Sequence, residues 1–428
     1  MKFSRTFLLL WLSFFAVSLN ANPEALRILQ ADNGTARGSD SQGWWVSMNG
    51  SEDKPTAPET LKAIVELGNV QSLSLKEVRN EDLAILKPLG KSLTRFTINS
   101  RQLSDAAIPH LNHFQHVTHF GMRTDSKQPG ITVKGMHQLK GFPKVESLGI
   151  GGHSFPPECL MLLPVIFPKA KYVDFNHTFK INEKLFTEFQ KFEDLQKLNL
   201  GGCYQSDEAT MRSLGKLKDL QELSVFHAGK YQYATLQSLK GHKKLRSLYV
   251  GDSLGRRGDL RAINDEDLKI LLSIPSMESF QTGADPNGAL SDEAGNVLAQ
   301  HPNFQSLILS RTEFTDQILR NLLKAPALQE LVIEFNNHTA EGLSVLANYP
   351  KLKKLRLGGY RQGTTLDDAR LQALSGIPNL ESLQIWMHKD SSLSSAAVEK
   401  FLQSPAGKVA KIKYGLDFNM KYKMPGAK

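Results

Sequence analysis

The sequence predicts an α/β solenoid, a right-handed horseshoe with a parallel sheet on its concave face and helices on its convex face. Three observations predict it. A short apolar motif recurs along residues 70–415, a stretch with helical periodicity follows most copies, and a proline often stands shortly before the next copy. Together they define about 13–14 repeats.

The motif is apolar-x-x-apolar-x-apolar, and its copies are 23 to 32 residues apart. The fourth and sixth positions alternate with polar residues, which is the period of a strand with one buried face. Each strand is too short to be stable alone, so the motif predicts parallel pairing between neighbouring copies. The first positions are Val70, Leu93, Val117, Val145, Ala170, Leu195, Leu220, Leu245, Met277, Phe304, Leu328, Leu352, Leu380 and Val409.

The segments between the motifs predict helices on the convex face. In 263–275, 290–302 and 314–326, apolar residues recur at helical spacing. Asn264, Ser291 and Thr315 are suitable N-caps, and the acids that follow them suit the positive end of the helix dipole. Prolines end the helices before the next strand. These prolines are Pro143, Pro168, Pro275, Pro302, Pro326, Pro350, Pro378 and Pro405.

With these features, residues 70–415 resemble the leucine-rich-repeat family. Leu103-Ser104-Asp105, Leu290-Ser291-Asp292 and Phe314-Thr315-Asp316 resemble the long-helix branch, which is similar to ribonuclease-inhibitor-type and cysteine-containing repeats, and also resemble exported repeat proteins of bacteria. The asparagine that most plant and animal repeats place eight positions after the first leucine is present here only as Asn336. The subtype and the curvature therefore stay open.

Residues 1–21 predict a signal peptide. Lys2 and Arg5 precede an apolar run at 7–19, which is shorter than the roughly 20 residues that a bilayer span needs. An uncleaved anchor is the alternative. No later stretch is long and apolar enough to cross a membrane, so no stable span is expected after cleavage. We expect an exported protein, secreted or periplasmic.

Residues 22–69 precede the repeat domain, and 416–428 form a basic tail. Pro23 to Gln30 and Pro58 to Leu67 predict helices. The polar segment 33–57 between them carries Trp44 and Trp45. One interpretation is a cap over the first repeat. The other is a flexible linker whose aromatic pair docks a ligand.

Composition and charge narrow the classes of function. Apolar residues make up 40% and charged residues 22%, which is typical of a folded protein. Much of the formal charge of +9 lies in the signal and the C-terminal segment, so nucleic acid is not an expected partner. Cys159 and Cys203 are too few for disulfide-rich caps, which favours a bacterial origin, and we do not expect them to pair with each other.

Equal positions of neighbouring repeats form columns across the concave face, and these columns predict a polar surface with scattered aromatic residues. Two concentrations lie at strand ends, in repeats four to eight and ten to thirteen. Trp386 either anchors a partner or packs on the basic tail. The candidate partner-binding residues are Tyr172, Asp174, Asn176, His177, Tyr204, Phe226, His227, Tyr249, Asp252, Arg311, Arg356, Tyr360 and Trp386.

His177, Cys203 and His227 have nearly equal offsets in three consecutive repeats. Three interpretations are open: a partner-binding patch, ordinary turn residues, or the ligands of a metal site. We expect neither a metal nor a cofactor. No catalytic motif is found, so we do not expect an enzyme.

The sequence therefore predicts a non-catalytic exported scaffold that recognises a macromolecule, with a protein as the expected partner, through the concave face and the ascending rim. The alternative is a carbohydrate- or cell-wall-binding protein, with stacking platforms at Trp44, Trp45, Tyr172, Tyr249 and Trp386. A metal-dependent enzyme is the least favoured class.

Overall fold

The computed structural model describes residues 22–125, 130–140, 142–152, 155–175, 181–203, 206–226, 232–251, 263–283, 290–310, 314–334, 338–359 and 363–414. The protein divides into two compact units, unit 1 over residues 1–170 and unit 2 over residues 171–428. Both units are α/β repeat solenoids, as the sequence predicts.

Unit 1 contains six described strands and six described α-helices, with 3-10 turns at Glu81–Lys91 and Asp105–Ala107. In sequence order they are α1 Pro23–Ala31, β1 Gly34–Ser39, β2 Gly43–Met48, α2 Pro58–Glu66, β3 Val70–Lys76, β4 Arg95–Asn99, α3 Ile108–Leu111, β5 His119–Arg123, α4 Val133–Gln138, β6 Ser147–Gly151, α5 Pro157–Met161 and α6 Leu163–Ile166.

Unit 2 contains ten described strands, with 3-10 turns at Leu214–Lys216 and Val345–Asn348. In sequence order its elements are β7 Tyr172–Asp174, α7 Glu183–Phe189, β8 Lys197–Asn199, α8 Glu208–Ser213, β9 Glu222–Ser224, α9 Gln232–Ser238, β10 Ser247–Gly251, α10 Lys269–Leu272, β11 Ser279–Gly283, α11 Glu293–Ala299, β12 Ser306–Ser310, α12 Asp316–Leu322, β13 Glu330–Ile333, α13 Ala340–Ser344, β14 Lys354–Leu357, α14 Asp368–Ser375, β15 Ser382–Met387, α15 Ser395–Gln403, α16 Pro405–Lys408 and β16 Ala410–Tyr414.

The motif predicts the strands correctly: each of the fourteen copies lies at one strand from β3 to β16. From β3 onwards, neighbouring strands within each unit pair in parallel and in register, for example Leu331 with Leu355 and Leu355 with Leu383. These three leucines are almost fully buried. The residues between them point to the other side of the sheet, which we call the open face.

The N-terminal segment contains a hairpin that the sequence pattern does not reveal. β1 and β2 pair antiparallel, and β2 pairs in parallel with β3. The strand β1 reads Gly-Thr-Ala-Arg-Gly-Ser and lacks apolar alternation, which explains why it escaped prediction. Trp44 is buried in this hairpin, and its neighbour Trp45 is 63% exposed on the open face.

Phenylalanines fill much of the core of unit 1. The Phe96 and Phe114 ring centroids are 4.8 Å apart, and the Phe120 and Phe142 rings stack at 4.1 Å. Phe167 extends the stack, with its ring 6.0 Å from that of Phe120. Such pairs contribute about 0.5–1.5 kcal/mol each beyond the burial of their surface. The core is therefore tied together across repeats as well as within them.

The described helices are short, and α12 begins at its predicted cap. The Thr315 hydroxyl accepts from the N–H of Gln317 at 3.2 Å, and the Ser291 hydroxyl accepts from the N–H of Glu293 at 3.1 Å. Asn264 accepts from the N–H of Asp267 at 3.0 Å. Thr315 is thus confirmed as the N-cap of α12. The N-cap positions of α11 and α10 are Asp292 and Leu268, so the prediction that Ser291 and Asn264 are N-caps is wrong; their side chains bond the backbone of the turns that lead into these helices.

The acids that follow the caps do more than complement the helix dipole. Asp292 accepts from the N–H and the hydroxyl of Thr315, at 3.0 and 2.5 Å, and so binds the cap of the next repeat. Asp265 does the same to Ser291 at 3.0 and 2.6 Å. We call this two-bond contact the aspartate clamp. It recurs from Asp105 to Thr132, Asp316 to Thr339 and Asp368 to Ser394.

Two clamps also require a glycine. A Cβ on Gly342 would lie 2.1 Å from the Asp316 carboxyl group, and a Cβ on Gly135 would lie 2.0 Å from Asp105 Oδ1. Both glycines sit in the first turn of a helix, where the clamping carboxylate of the preceding repeat approaches the backbone. Burial alone would raise the pKa of Asp316, but the Thr339 hydroxyl and N–H bonds lower it below its ordinary value.

We expect Asp292→Ala to lower the free energy of unfolding by about 1–2 kcal/mol, because the cap of the next repeat loses two hydrogen bonds. Urea unfolding followed by tryptophan fluorescence measures the change. Asp219→Ala is the control, since Asp219 is exposed and pairs with Lys244 at the surface. An Asp292 variant no less stable than the control would contradict the clamp.

Buried histidines join neighbouring repeats in unit 2. His242 lies three residues before a motif, a position that is Phe142 or Phe192 in other repeats. Its Nε2 is 3.0 Å from the Leu217 carbonyl oxygen of the preceding repeat, and its Nδ1 accepts from the N–H of Leu245 at 3.1 Å. Nδ1 is thus an acceptor and Nε2 the donor of a neutral imidazole. Burial lowers the pKa of His242.

We expect the protein to lose stability as the pH falls below about 6.5, the ordinary pKa of histidine, because the unfolded state then binds a proton that buried His242 resists. The pKa of His242 is lower in the folded state than in the unfolded state. Its contribution to stability is therefore fully present above about pH 6.5 and declines as the pH falls towards the folded pKa. Urea midpoints at about pH 8 and about pH 5.5 measure the loss. His242→Leu should show a smaller difference between the two pH values than the wild type; an equal difference would rule out this role.

Candidate functional site

Four of the candidate residues lie together in unit 2, on the open face of β7 to β10. The strands place Tyr172, Lys197, Glu222 and Ser247 in one column, because these residues are register partners. The next column holds Asp174, Asn199, Ser224 and Tyr249. We call these eight residues and Phe226 the β7–β10 face.

Hydrogen bonds fix the polar side chains at one end of this face. The Tyr172 hydroxyl donates to Asp174 Oδ2 at 3.2 Å, and Asn199 Nδ2 donates to Asp174 Oδ1 at 3.2 Å. Asn199 Oδ1 in turn accepts from the N–H of Gly201 at 2.9 Å. The carboxylate of Asp174 is thus held between two donors from two strands. Such networks fix side-chain positions before a ligand arrives.

Burial raises the pKa of Tyr172 to about 12, and the charge of Asp174 adds to the effect. The phenol therefore stays protonated at neutral pH and acts as a hydrogen-bond donor. A phenol with this pKa is poorly suited to act as a base near neutral pH. The local chemistry is suited to recognition through hydrogen bonds.

The other end of the face is aromatic. The Phe226 and Tyr249 rings stack with centroids 4.8 Å apart and planes 24° apart. Between the two ends, Lys197 Nζ and Glu222 Oε1 form an ion pair at 2.7 Å. A stacked aromatic pair beside fixed polar groups is the composition that protein interfaces favour at their centres.

The two columns line a shallow depression of about 370 Å³. Leu198 and Leu223 line it together with Tyr172 and Tyr249. Both tyrosines were predicted, whereas the paired Lys197 and Glu222 and the polar Asn199 between them were not chosen as candidates. Their equal offsets from the motif would have placed them beside Tyr172.

A second group of candidates lies at the end of unit 2. Arg356 Nη2 donates to Glu334 Oε1 at 2.7 Å, so this predicted residue is engaged within the sheet. Lys413 Nζ lies 5.0 Å from the centre of the Trp386 ring. Lys413 belongs to β16, so Trp386 packs against a cation of the last described strand, and its role as an anchor for a partner stays a prediction.

Seven candidates lie outside the described residues, and their predicted role is untouched: Asn176, His177, Tyr204, His227, Asp252, Arg311 and Tyr360. Among the residues that the structure describes, no group of three or more histidine, cysteine, aspartate or glutamate side chains could hold a metal ion.

Three details correct the expectations from sequence. Cys203 was expected on the rim, but its side chain is fully buried, with Sγ 3.6 Å from the Phe175 carbonyl oxygen. The small thiol packs in the core after β8, where it contacts the Phe175 carbonyl oxygen. Trp44 cannot be a stacking platform, because it is buried and its Nε1 donates to Asp40 at 2.9 Å. Tyr249 cannot offer a stacking platform on the side of its ring that Phe226 covers.

The fold is a repeat solenoid whose open face carries an ordered group of polar and aromatic side chains. No protein-family model matches the sequence, and no curated protein matches it. Among solved structures, the complex of Rad7 and Elc1 from yeast is similar, with 18% sequence identity, a TM-score of 0.42, and coverage of 83% of this chain and 92% of that chain. In the described part of the protein, no helix has the length and apolar character of a bilayer span.

We expect the Tyr172 phenol to resist ionisation until about pH 12, whereas an ordinary tyrosine ionises near pH 10. Alkaline titration of phenolate absorbance measures it, with Tyr172→Phe as the reference for subtraction. Asp174→Asn should lower the pKa of Tyr172, because it removes the adjacent negative charge. A Tyr172 that titrates with the exposed tyrosines would show that its environment is open to water.

Proposed function

We propose that this protein is an exported, non-catalytic leucine-rich-repeat scaffold that binds a protein partner through the β7–β10 face and the adjoining strand ends. The observation that carries the proposal is the preformed arrangement of the Phe226–Tyr249 stack beside the Tyr172–Asp174–Asn199 network. A rigid, ordered surface loses little conformational entropy when it binds.

The charges of this face support a polypeptide ligand. The Lys197 and Glu222 side chains are half-exposed. A partner can therefore form hydrogen bonds to both charged groups while the ion pair between them stays intact. The Tyr172 donor and the Asp174 acceptor lie in neighbouring columns. The N–H groups of an arriving peptide could donate to these two oxygen-bearing groups, because a phenol oxygen and a carboxylate each accept more than one hydrogen bond.

Export and family rest on sequence features. Residues 1–21 support export, to the periplasm or the culture fluid, and the fourteen motif copies support membership of the leucine-rich repeats. The sequence resemblance to exported bacterial repeat proteins supports a bacterial source. Mass spectrometry of the protein recovered from its native compartment would give the N-terminus and test both cleavage and export.

A binding role is supported over catalysis by the chemistry of the face itself. Tyr172 is a weak acid because its pKa is raised. Lys197 is paired with Glu222, and the Asp174 carboxylate accepts from two donors. Each of these groups is therefore occupied in a stable contact. Nucleophilic catalysis needs an activated nucleophile beside a base, which these groups do not form.

We expect Tyr249→Ala to weaken the capture of a partner from the source organism's envelope or culture fluid by roughly tenfold or more, because it breaks the aromatic stack at an interface centre. The mature protein serves as bait, and quantitative mass spectrometry compares the proteins retained. Asp174→Asn should also weaken capture, since it removes the negative charge and replaces one of the two acceptor oxygens of the network with a donor.

Leu402→Ala is the matched control, because Leu402 is an exposed apolar residue of a helix in the same unit. A protein retained equally by all three variants would not bind this face. Retention of a polysaccharide that is lost with Tyr249→Ala would replace the protein partner with a carbohydrate.

A further inference from the structure

The open face of unit 1 has a different chemistry from that of the β7–β10 face. Three columns of residues run across its strands. The first column is Arg37, Trp45, Ser72, Arg95, His119 and Ser147; the central column is Thr35, Ser47, Ser74, Thr97, Gly121 and Gly149; the third column is Lys76, Asn99, Arg123 and Gly151.

The central column is made of small residues and forms a floor. A Cβ on Gly149 would have only one neighbour within 4 Å, at 3.8 Å from the Gly121 Cα. The Ser74 and Thr97 hydroxyls stand between the longer side chains of the first and third columns. The result is a strip of hydroxyl and bare backbone, with Arg37 and Arg95 in the column on one side and Lys76 and Arg123 in the column on the other.

None of the sixteen residues in the three columns is acidic. Arg37, Lys76 and Arg95 form no ion pair with any described residue, whereas Arg123 pairs with Asp125 at 3.1 Å. Arg37, Lys76 and Arg95 are exposed. The three columns therefore carry positive charge and contain no carboxylate that would neutralise it.

The dimensions of the strip suit an extended polypeptide. Six strands spaced about 4.8 Å apart make it about 24 Å long, which is the length of about seven residues in a β-strand. Along β3 to β6, where the third column has members, the flanking columns stand four residues apart, or about 13 Å between backbones. Successive side chains of an extended peptide point to opposite sides, so each flanking column would meet every second residue.

We propose that this face, the unit 1 strip, binds an extended acidic peptide segment that runs across the strands. Carboxylates on alternate sides of the peptide meet Arg95 and Arg37 on one side and Lys76 on the other. Arginine forms paired hydrogen bonds with carboxylates, which adds direction to the charge attraction. Trp45, exposed at one end of the strip, receives an apolar residue beside the acidic run.

The aromatic content favours a peptide over a nucleic acid. Single-stranded nucleic acids gain much of their affinity from aromatic side chains on which successive bases stack. Among the described residues of these three columns, Trp45 is the one large aromatic side chain. A peptide needs one anchor of this kind and a series of charges, which is what the strip offers.

The test uses the full mature protein and a fluorescein-labelled heptaglutamate peptide in an anisotropy titration at low salt. We expect Arg95→Ala to weaken binding by roughly fivefold to tenfold and added salt to weaken it further. Thr97→Glu should weaken binding by roughly tenfold or more, because it places a negative charge on the floor. Thr97→Gln has the same length without the charge and should change the affinity by less than about threefold.

Circular dichroism and urea midpoints establish that these exposed variants remain folded. Lys354→Ala, which removes a cation from the open face of unit 2, should leave peptide binding unchanged. Absence of binding, equal binding by Thr97→Glu and Thr97→Gln, or tighter binding of an oligonucleotide or a sulfated oligosaccharide of equal charge would each overturn the proposal. The Tyr249→Ala variant should bind this peptide normally, so the strip and the β7–β10 face succeed or fail separately.

Discussion

The structure depends on the in-register pairing of strands that are too short to exist alone. β7, β8 and β9 have three residues each, and each is held in the sheet by hydrogen bonds to its neighbours. A strand of that length has no independent stability in water. Every inward residue, such as Leu198 or Leu223, is buried only because the adjacent repeat covers it. A single repeat is therefore recognisable in the sequence, but only the stack of repeats is stable.

The same pairing creates the two surfaces for which we propose a binding role. Since register fixes which residues are neighbours across strands, a single substitution changes one place in a column without moving the others. On unit 2 the columns combine Tyr172, Asp174 and Asn199 into a bonded network. On unit 1 they gather Arg37 and Arg95 beside small residues. Two chemistries thus arise on the same kind of sheet from the side chains that the motif leaves free.

The sequence predicts the strands well because burial enforces the apolar positions in every copy. It also identifies Tyr172 and Tyr249, which are aromatic residues at outward positions. It misses the hairpin at 34–48, where no apolar alternation marks β1. It misplaces Cys203, because a thiol can lie in the core or at the surface and the offset from the motif does not distinguish them. The Phe226–Tyr249 stack and the Asp174 network depend on side-chain rotamers across strands, which no linear pattern contains.

The aspartate clamp has a direction along the sequence. In each described case the carboxylate belongs to the earlier repeat, and the residue that it binds belongs to the later one. The start of each clamped helix is thus held by a carboxylate of the repeat before it. In none of the described clamps does the carboxylate belong to the later repeat. Order would spread from the amino end towards the carboxyl end, which is also the direction in which a ribosome delivers the polypeptide. A truncation that removes the last repeats would leave the preceding helix starts intact, whereas loss of the first repeats would remove the template for the next.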